Sequence, residues 1–255
     1  MASLQKVGLH YLEEKDKIES FDLILFDGKD IFSHLIKVME ERQINRDFPD
    51  TEDDLFSHVG IALRRDALPD IIKDDDVYIW ESTMSGLLGE GVKNVDGKSF
   101  FGVQLRNFSQ VIAKYDRSGK TRVAYAKLIN RPTPESIATF PELFKSINGT
   151  RYELNPYEGL AAFVPFFRKY RSEVDKLCRT SGWLFCSELV THVYKYLGLV
   201  SVNIDERDIV PQDFVSDRTF QNKLNVVGPP IVITCYPIPQ PTTITTTNVT
   251  VHIKQ

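Results

Sequence analysis

Three cysteines in 255 residues are too few for the disulfide framework of a small secreted domain. Their positions also lack the paired Cys and His spacing of a zinc site. No apolar run is long enough to cross a bilayer, and the charged first 19 residues lack the apolar centre of a secretory signal. These features predict a protein of the reducing cytoplasm without a transmembrane segment, and neither a metal nor an organic cofactor is expected.

The charge of the chain is nearly balanced, with 31 basic residues, 35 acidic residues and a net charge of −4. No block of lysine and arginine stands out, so binding to nucleic acid is not expected. A length of 255 residues allows one larger domain or two small ones with a substantial core. The composition is that of an ordinary globular protein, and its function has to be sought in particular residues.

Apolar and alternating segments predict an α+β domain without a clear internal boundary. Strands are expected over 21–26, 58–63, 77–81, 103–105, 122–128 and 226–234, and helices over 31–40, 134–147, 158–177 and onward from Cys186. The domain is predicted to cover 21–236. An N-terminal extension over 1–20 precedes it, and a Thr- and Pro-rich C-terminal arm over 237–255 follows it.

The segment around Cys186 is the most informative part of the chain. The apolar residues after it have helical spacing and the run stops at Gly198, a residue type that often ends helices; they are Leu189, Val190, Val193, Tyr194 and Leu197. Cys186 is therefore expected in the first turn of a helix, where unpaired N–H groups and the helix dipole favour a thiolate and lower the thiol pKa. Such a cysteine is a candidate nucleophile. The alternative is that Cys186 is a small buried apolar residue.

A thiol nucleophile needs a base and a group that orients the base. His58 begins an apolar strand beside a loop, and it is favoured over the other four histidines. His192 lies six residues after Cys186, which places it on another face of the helix. Glu81 ends the next predicted strand and could accept a hydrogen bond from His58. The alternative for Glu81 is a solvated surface charge.

These residues, together with several short motifs, resemble the NlpC family of papain-like cysteine amidases. The motifs are Gly149-Thr150-Arg151-Tyr152, Cys186-Ser187-Glu188-Leu189-Val190 and Tyr194-Lys195-Tyr196-Leu197-Gly198. In that family the histidine follows the cysteine, whereas here Ser57-His58-Val59-Gly60 precedes it. This order is similar to the circularly permuted branch, which includes YiiX-like hydrolases and the lecithin–retinol acyltransferase group. Asp22-Leu23-Ile24-Leu25-Phe26 and Pro211-Gln212-Asp213-Phe214 also match the YiiX-like pattern.

The resemblance covers about residues 21–215 and implies a papain-like fold, in which a small antiparallel sheet or barrel packs against helices with the cysteine at a helix N-terminus. It implies a Cys186, His58 and Glu81 triad, because a glutamate as third member points to the YiiX-like side. Tyr152 and Ser187 are assigned to the substrate or oxyanion side of the site. The chain departs from the family pattern at Arg151, where proline is usual, and in the long segment between Tyr152 and Cys186.

The expected activity is hydrolysis of an amide or ester bond through a thioester on Cys186, with a peptide or an N-acyl or lipid substrate. A lipid acyltransferase is the first alternative, and a non-catalytic structural or binding protein that keeps the fold is the second. The apolar segment 160–167 with its basic end could be a lid or a peripheral lipid contact, although an ordinary core helix is favoured. Because the permuted branch also occurs in large DNA viruses, a viral protein of the host cytoplasm or virion is compatible with the sequence.

Overall fold

The computed structural model describes residues 9–28, 56–83, 92–98, 102–118, 121–150, 186–206, 209–215 and 224–235. The strands in these ranges are β1 Leu9–His10, β2 Leu23–Gly28, β3 His58–Leu63, β4 Tyr78–Thr83, β5 Gly102–Asn107, β6 Thr121–Ala126 and β7 Ile231–Thr234. The helices are α1 Tyr11–Glu14, α2 Phe108–Ser118, α3 Pro134–Ile147 and α4 Cys186–Tyr196, and short 3-10 turns cover Lys15–Lys17 and Pro211–Phe214.

All seven strands join one sheet in the order β1-β7-β6-β2-β3-β4-β5. The pair β1–β7 is parallel and the other pairs are antiparallel. In the register of the central strands, Phe26 of β2 lies opposite His58 of β3, and Ile61 of β3 lies opposite Trp80 of β4. The sheet therefore brings the start of β3 close to the end of β4.

Successive side chains of a strand point to opposite sides of the sheet, and here the side chains on both sides are mainly apolar. One face packs against α3 and α4, and its core includes Leu25, Val59, Ile61, Trp80, Leu105, Phe140, Leu189 and Val193. The other face packs against α1 and α2, and its core includes Tyr11, Ile24, Phe26, Ala62, Ile79, Phe108 and Val111. A sheet covered on both sides explains why the strand sequences are nearly continuous apolar runs.

Helix α4 forms where the apolar spacing predicted it. Its apolar face is buried against the sheet, and the hydroxyl of Tyr194 donates a 2.9 Å hydrogen bond to the carbonyl of Phe21. Gly198 follows the helix with φ at 73°, the left-handed conformation that glycine adopts most readily at a helix end. Thr133 caps the N-terminus of helix α3, and its side chain accepts a hydrogen bond from the N–H of Ser136.

The predicted α+β class is confirmed. The sheet differs from a small antiparallel one, because it has seven strands and one parallel pair. Part of the segment predicted as an N-terminal extension forms β1 and α1, and it buries Tyr11 and Ile18. Helix α2 was not predicted, and the predicted strand 226–234 shortens to Ile231–Thr234 because Pro229 and Pro230 lack the N–H that a strand pairing needs.

The predicted helices over 31–40 and 158–177 and the C-terminal arm over 237–255 lie outside the described residues. Among the helices that are described, none combines the length and the apolar character needed to cross a membrane.

Candidate active site

The first turn of α4 brings Cys186 to the start of β3. The thiol sulfur accepts hydrogen bonds from the backbone N–H groups of Val59 and Ser187, and it also hydrogen-bonds the side chain of His58. The described pairing of β3 with β4 runs from Leu63 back to Ile61, short of Val59. The sulfur thus occupies a position where a strand N–H and a helix N–H both favour its anionic form.

His58 contacts Cys186 and Glu81 at the same time. Its Nε2 atom lies 2.6 Å from Oε2 of Glu81, which leaves Nδ1 for the contact with Cys186. A carboxylate at one ring nitrogen fixes the orientation of the imidazole and stabilises its protonated form. The three residues that the sequence selected therefore meet in one site, in the order Cys186, His58 and Glu81.

The approach of His58 to Glu81 depends on Gly60, which lies on the same face of β3 as His58. A Cβ atom at Gly60 would lie 2.8 Å from the side chain of Ile79 and 3.0 Å from Cβ of Glu81. Because glycine has no side chain here, the carboxylate of Glu81 can lean diagonally across the strand towards His58. Diagonal neighbours on one sheet face are within reach of long side chains.

Glu81 is held from its other side by Arg106 of β5. Nε of Arg106 donates to Oε1 of Glu81 at 2.9 Å, and Nη2 donates to the same oxygen at 2.5 Å. The Glu81 side chain is fully buried, and that of Arg106 is 1% exposed. One carboxylate oxygen is thus occupied by arginine while the other faces His58.

The charges of these side chains support one another. Burial alone would lower the pKa of His58, but the Cys186 thiolate and then Glu81 raise it to about 10. Burial opposes ionisation of Cys186, yet the imidazolium of His58 lowers the pKa of the thiol. In the same way Arg106 and His58 overcome burial and keep the pKa of Glu81 below its usual range. The arrangement favours a thiolate–imidazolium pair.

His58 and Cys186 are partly exposed residues, whereas the side chains that support His58 are buried. The His58 side chain is 21% exposed, whereas Glu81 and Arg106 lie inside the sheet layer. Cys186 is likewise only partly buried. The carboxylate and the guanidinium are thus shielded from water, and charge interactions are stronger in such surroundings than in water.

The other predicted site residues have different surroundings. The hydroxyl of Ser187 is buried and donates to the carbonyl of Ile209 at 2.7 Å, and its backbone N–H faces Cys186. Tyr152 lies outside the described residues. His192 points elsewhere, as the helix geometry predicted, and its Nδ1 atom lies 3.1 Å from Glu206.

The motif Pro211-Gln212-Asp213-Phe214 contacts the segment that precedes His58. Oε1 of Gln212 accepts a hydrogen bond from the N–H of Phe56, two residues before His58, at 3.2 Å. Asp213 accepts from the N–H of Val210 at 3.0 Å and so closes its own turn. This motif fixes the chain that leads into β3.

Sequence reasoning missed Arg106 and its neighbour Tyr115 of α2. The predicted strand ended at Leu105, one residue short of Arg106. The signal was the alternation of Val103, Gln104, Leu105 and Arg106, which places both polar side chains on one face of a strand. A charged residue at a position that is otherwise buried requires a partner of opposite charge.

A scan of protein-family models and a search of curated protein sequences found no match for this chain. Its chemistry is therefore inferred from its own residues. A thiol of lowered pKa that hydrogen-bonds an imidazole, with a buried carboxylate on the other side of that imidazole, is suited to nucleophilic attack on a carbonyl carbon and to proton transfer at the leaving group.

Proposed function

We propose that this protein is a cysteine-dependent hydrolase that cleaves an amide or ester bond through a thioester on Cys186. The observation that carries the proposal is the continuous series of side-chain hydrogen bonds that runs from Cys186, at the start of α4, through His58 to Glu81. The order of these residues along the chain, and a nucleophile helix packed on a sheet, also suit a permuted papain-like fold of the YiiX-like type.

In the proposed first step the thiolate of Cys186 attacks the substrate carbonyl and forms a tetrahedral intermediate. The backbone N–H of Cys186 belongs to the first turn of α4, whose N–H groups have no carbonyl partner inside the helix, so it can donate to the oxyanion. The protonated His58 then gives its proton to the leaving amine or alcohol. The carbon–heteroatom bond breaks, and the acyl group stays on sulfur as a thioester.

In the second step the now neutral His58 takes a proton from water, and the resulting hydroxide attacks the thioester carbonyl. The carbon–sulfur bond breaks, a carboxylic acid leaves, and the thiolate–imidazolium pair is restored. Glu81 holds the imidazole in place through both steps. The substrate is an acyl compound of the peptide or lipid class, and no cofactor takes part in this scheme.

The proposal is tested by the rate at which iodoacetamide alkylates each cysteine between about pH 4 and about pH 9. Wild-type protein is compared with His58→Ala and Cys186→Ala, and Cys235 serves as an internal reference thiol. At about pH 6.5 an ordinary thiol is roughly 1% ionised, so a fully ionised Cys186 should react up to about a hundredfold faster than a free thiol such as N-acetylcysteine, and faster than Cys235. His58→Ala should abolish most of that difference.

A wild-type Cys186 that reacts no faster than Cys235 would contradict the proposal and favour a binding protein that has the same fold. If Cys186 is activated, a series of p-nitrophenyl esters with short and long acyl chains comes next. Intact mass would show the acyl group on wild-type protein and its absence on Cys186→Ala. Loss of the adduct in water alone indicates hydrolysis, whereas loss only with an added amine or alcohol indicates acyl transfer.

A further inference from the structure

Five side chains from five elements, one of them His58, contact one another in a closed cycle, which is called the contact ring. His58 of β3 contacts Glu81 of β4, which contacts Arg106 of β5. Arg106 donates a hydrogen bond to the phenol oxygen of Tyr115 on α2. The ring of Tyr115 lies 5.1 Å from that of Phe26 on β2, and the ring of Phe26 lies 5.4 Å from the imidazole of His58.

The polar half of the contact ring fixes the carboxylate. Because two nitrogens of Arg106 bind the same oxygen of Glu81, rotation of the carboxylate would break both hydrogen bonds. Oε2 therefore stays directed at His58. Tyr115 in turn limits the freedom of the guanidinium, since its oxygen accepts a further hydrogen bond from Arg106.

The aromatic half of the contact ring fixes the imidazole. Phe26 lies directly opposite His58 in the β2–β3 register, and its ring packs between the rings of His58 and Tyr115. A phenylalanine at this position leaves the imidazole its hydrogen bonds to Glu81 and Cys186 while restricting the tilt of its plane. The side chain that ends the polar half, Tyr115, thus also supports the aromatic half.

We propose that Arg106 and Tyr115 are positioning residues for the acyl transfer at Cys186, acting through Glu81 and Phe26 to hold the imidazole of His58 in its reactive orientation. This inference rests on the proposed function. Neither residue touches the sulfur in this scheme, and the effect of each reaches Cys186 through His58.

Two other acidic side chains on the surrounding elements are Asp27 and Glu188. Asp27 of β2 pairs with Arg122 of β6 at 3.0 Å. Glu188 lies in the first turn of α4, where it affects the thiol of every variant equally. Changes at Arg106 or Tyr115 leave these groups in place, so a shift in the behaviour of Cys186 would report on the contact ring.

The test is the pH profile of Cys186 alkylation in Arg106→Met, Arg106→Lys and Tyr115→Phe. Without the guanidinium the pKa of the buried Glu81 carboxyl rises, so it becomes protonated at a higher pH than in the wild type. A protonated Glu81 no longer stabilises the imidazolium. We expect the acid limb of the profile in Arg106→Met to move up by about one pH unit, which is a roughly tenfold slower reaction below its midpoint. In Arg106→Lys the acid limb should lie between those of Arg106→Met and wild type. Tyr115→Phe should give a smaller shift than Arg106→Met, in the same direction.

Two matched controls remove equivalent contacts elsewhere. Arg131→Met takes the guanidinium from the buried carboxylate of Asp22, which it contacts at 3.0 Å. Tyr125→Phe removes a phenol that donates to the carboxylate of Glu14 at 2.7 Å. Both controls should lower the unfolding temperature without moving the Cys186 profile.

An unchanged profile in folded Arg106→Met and Tyr115→Phe would overturn the inference while wild-type Cys186 remains activated. If Arg106→Met does not fold, Tyr115→Phe decides alone, because it removes a single oxygen atom. A wild-type Cys186 that is not activated would instead refute the proposed function, and the inference with it. A shift confined to the contact-ring variants, with partial rescue by lysine, would support it.

Discussion

Replacement of Glu81 by glutamine provides a quantitative test of the site electrostatics. The carboxylate is fully buried, and its Oε2 atom lies 2.6 Å from Nε2 of His58. Two unit charges about 4 Å apart at an effective dielectric constant of about 20 interact by about 4 kcal/mol, which corresponds to about three pKa units. This value is an upper bound. The thiolate of Cys186 remains in Glu81→Gln, so we expect the pKa of His58 to fall by about two units from about 10.

The same substitution should also lower stability, because it leaves Arg106 buried beside a neutral side chain. Removal of one partner of a buried ion pair costs about 3–5 kcal/mol. Imidazole titration by NMR would give the pKa of His58, and denaturant unfolding would give the free energy. A folded Glu81→Gln protein in which the pKa of His58 stays near 10 would refute the assigned role of the carboxylate.

The control for Glu81→Gln is Glu206→Gln. Glu206 also contacts a histidine, at 3.1 Å from Nδ1 of His192, and it contacts Lys195 at 3.2 Å, but these side chains are between 20% and 41% exposed, whereas that of Glu81 is fully buried. Exposed ion pairs contribute between about 0 and 1 kcal/mol. Glu206→Gln should therefore leave both the stability and the alkylation profile of Cys186 nearly unchanged.

Two further results are expected. Gly60→Ala would place a methyl group 2.8 Å from the side chain of Ile79 and should cost about 1–3 kcal/mol in a urea melt, whereas Gly228→Ala, with its nearest atom at 3.8 Å, should be near neutral. In the wild type the raised pKa of His58 makes stability fall as pH rises from about 6.5 to about 10, and the lowered pKa of Cys186 opposes this below about pH 8.5. Cys186→Ala removes that opposition, and it also removes the thiolate that raises the pKa of His58 most. The stability of the variant relative to wild type should therefore fall by at most about 1.4 kcal/mol per pH unit, between about pH 6.5 and the lower pKa that Glu81 alone gives His58; urea-melt curves of the two proteins that stay parallel over this range would contradict this.

The sequence was sufficient to predict the elements that carry Cys186, His58 and Glu81. Cys186 was placed at the start of a helix by apolar spacing, and His58 and Glu81 were placed on strands by alternation and by their position next to loops. These signals depend only on residues that are near one another in the sequence, so they can be recognised without knowledge of the tertiary structure. The contact between the predicted strands of His58 and Glu81 was a reasonable expectation, because sequential strands often pair.

The support behind the triad depended on register, which no local signal supplies. Ile79 lies opposite Arg106, and Glu81 lies opposite Gln104, so Arg106 reaches Glu81 diagonally across the sheet face. A shift of one residue would have sent Arg106 to the other face. Helix α2 carried a signal that was overlooked, since Phe108, Val111, Ile112 and Tyr115 are spaced at i, i+3, i+4 and i+7.

The N-terminal strand was beyond prediction for a different reason. Leu9 and His10 are too short a segment to show a period, and they pair in parallel with Ile233 and Thr234 near the other end of the described chain. Their place depends on a contact between residues far apart in sequence. The same contact turned part of a predicted extension into the edge of the sheet.

Two buried carboxylates show how differently this fold treats the same chemical group. Asp22 accepts hydrogen bonds from the backbone N–H groups of Glu19 and Leu128, and burial raises its pKa although Arg131 is nearby. It connects turns through these two hydrogen bonds and contacts Arg131 at 3.0 Å. Glu81 is as deeply buried, but Arg106 and His58 keep its pKa low.

Such a buried charge is costly, and apolar side chains of similar size often replace buried ion pairs with no loss of stability. Stability alone therefore gives little reason for a guanidinium, a carboxylate and an imidazolium to be aligned inside the sheet. The alignment ends at Cys186, a partly buried residue whose sulfur accepts hydrogen bonds from two backbone N–H groups. Charge that is held against the cost of burial, and directed at one thiol, is what nucleophilic catalysis requires.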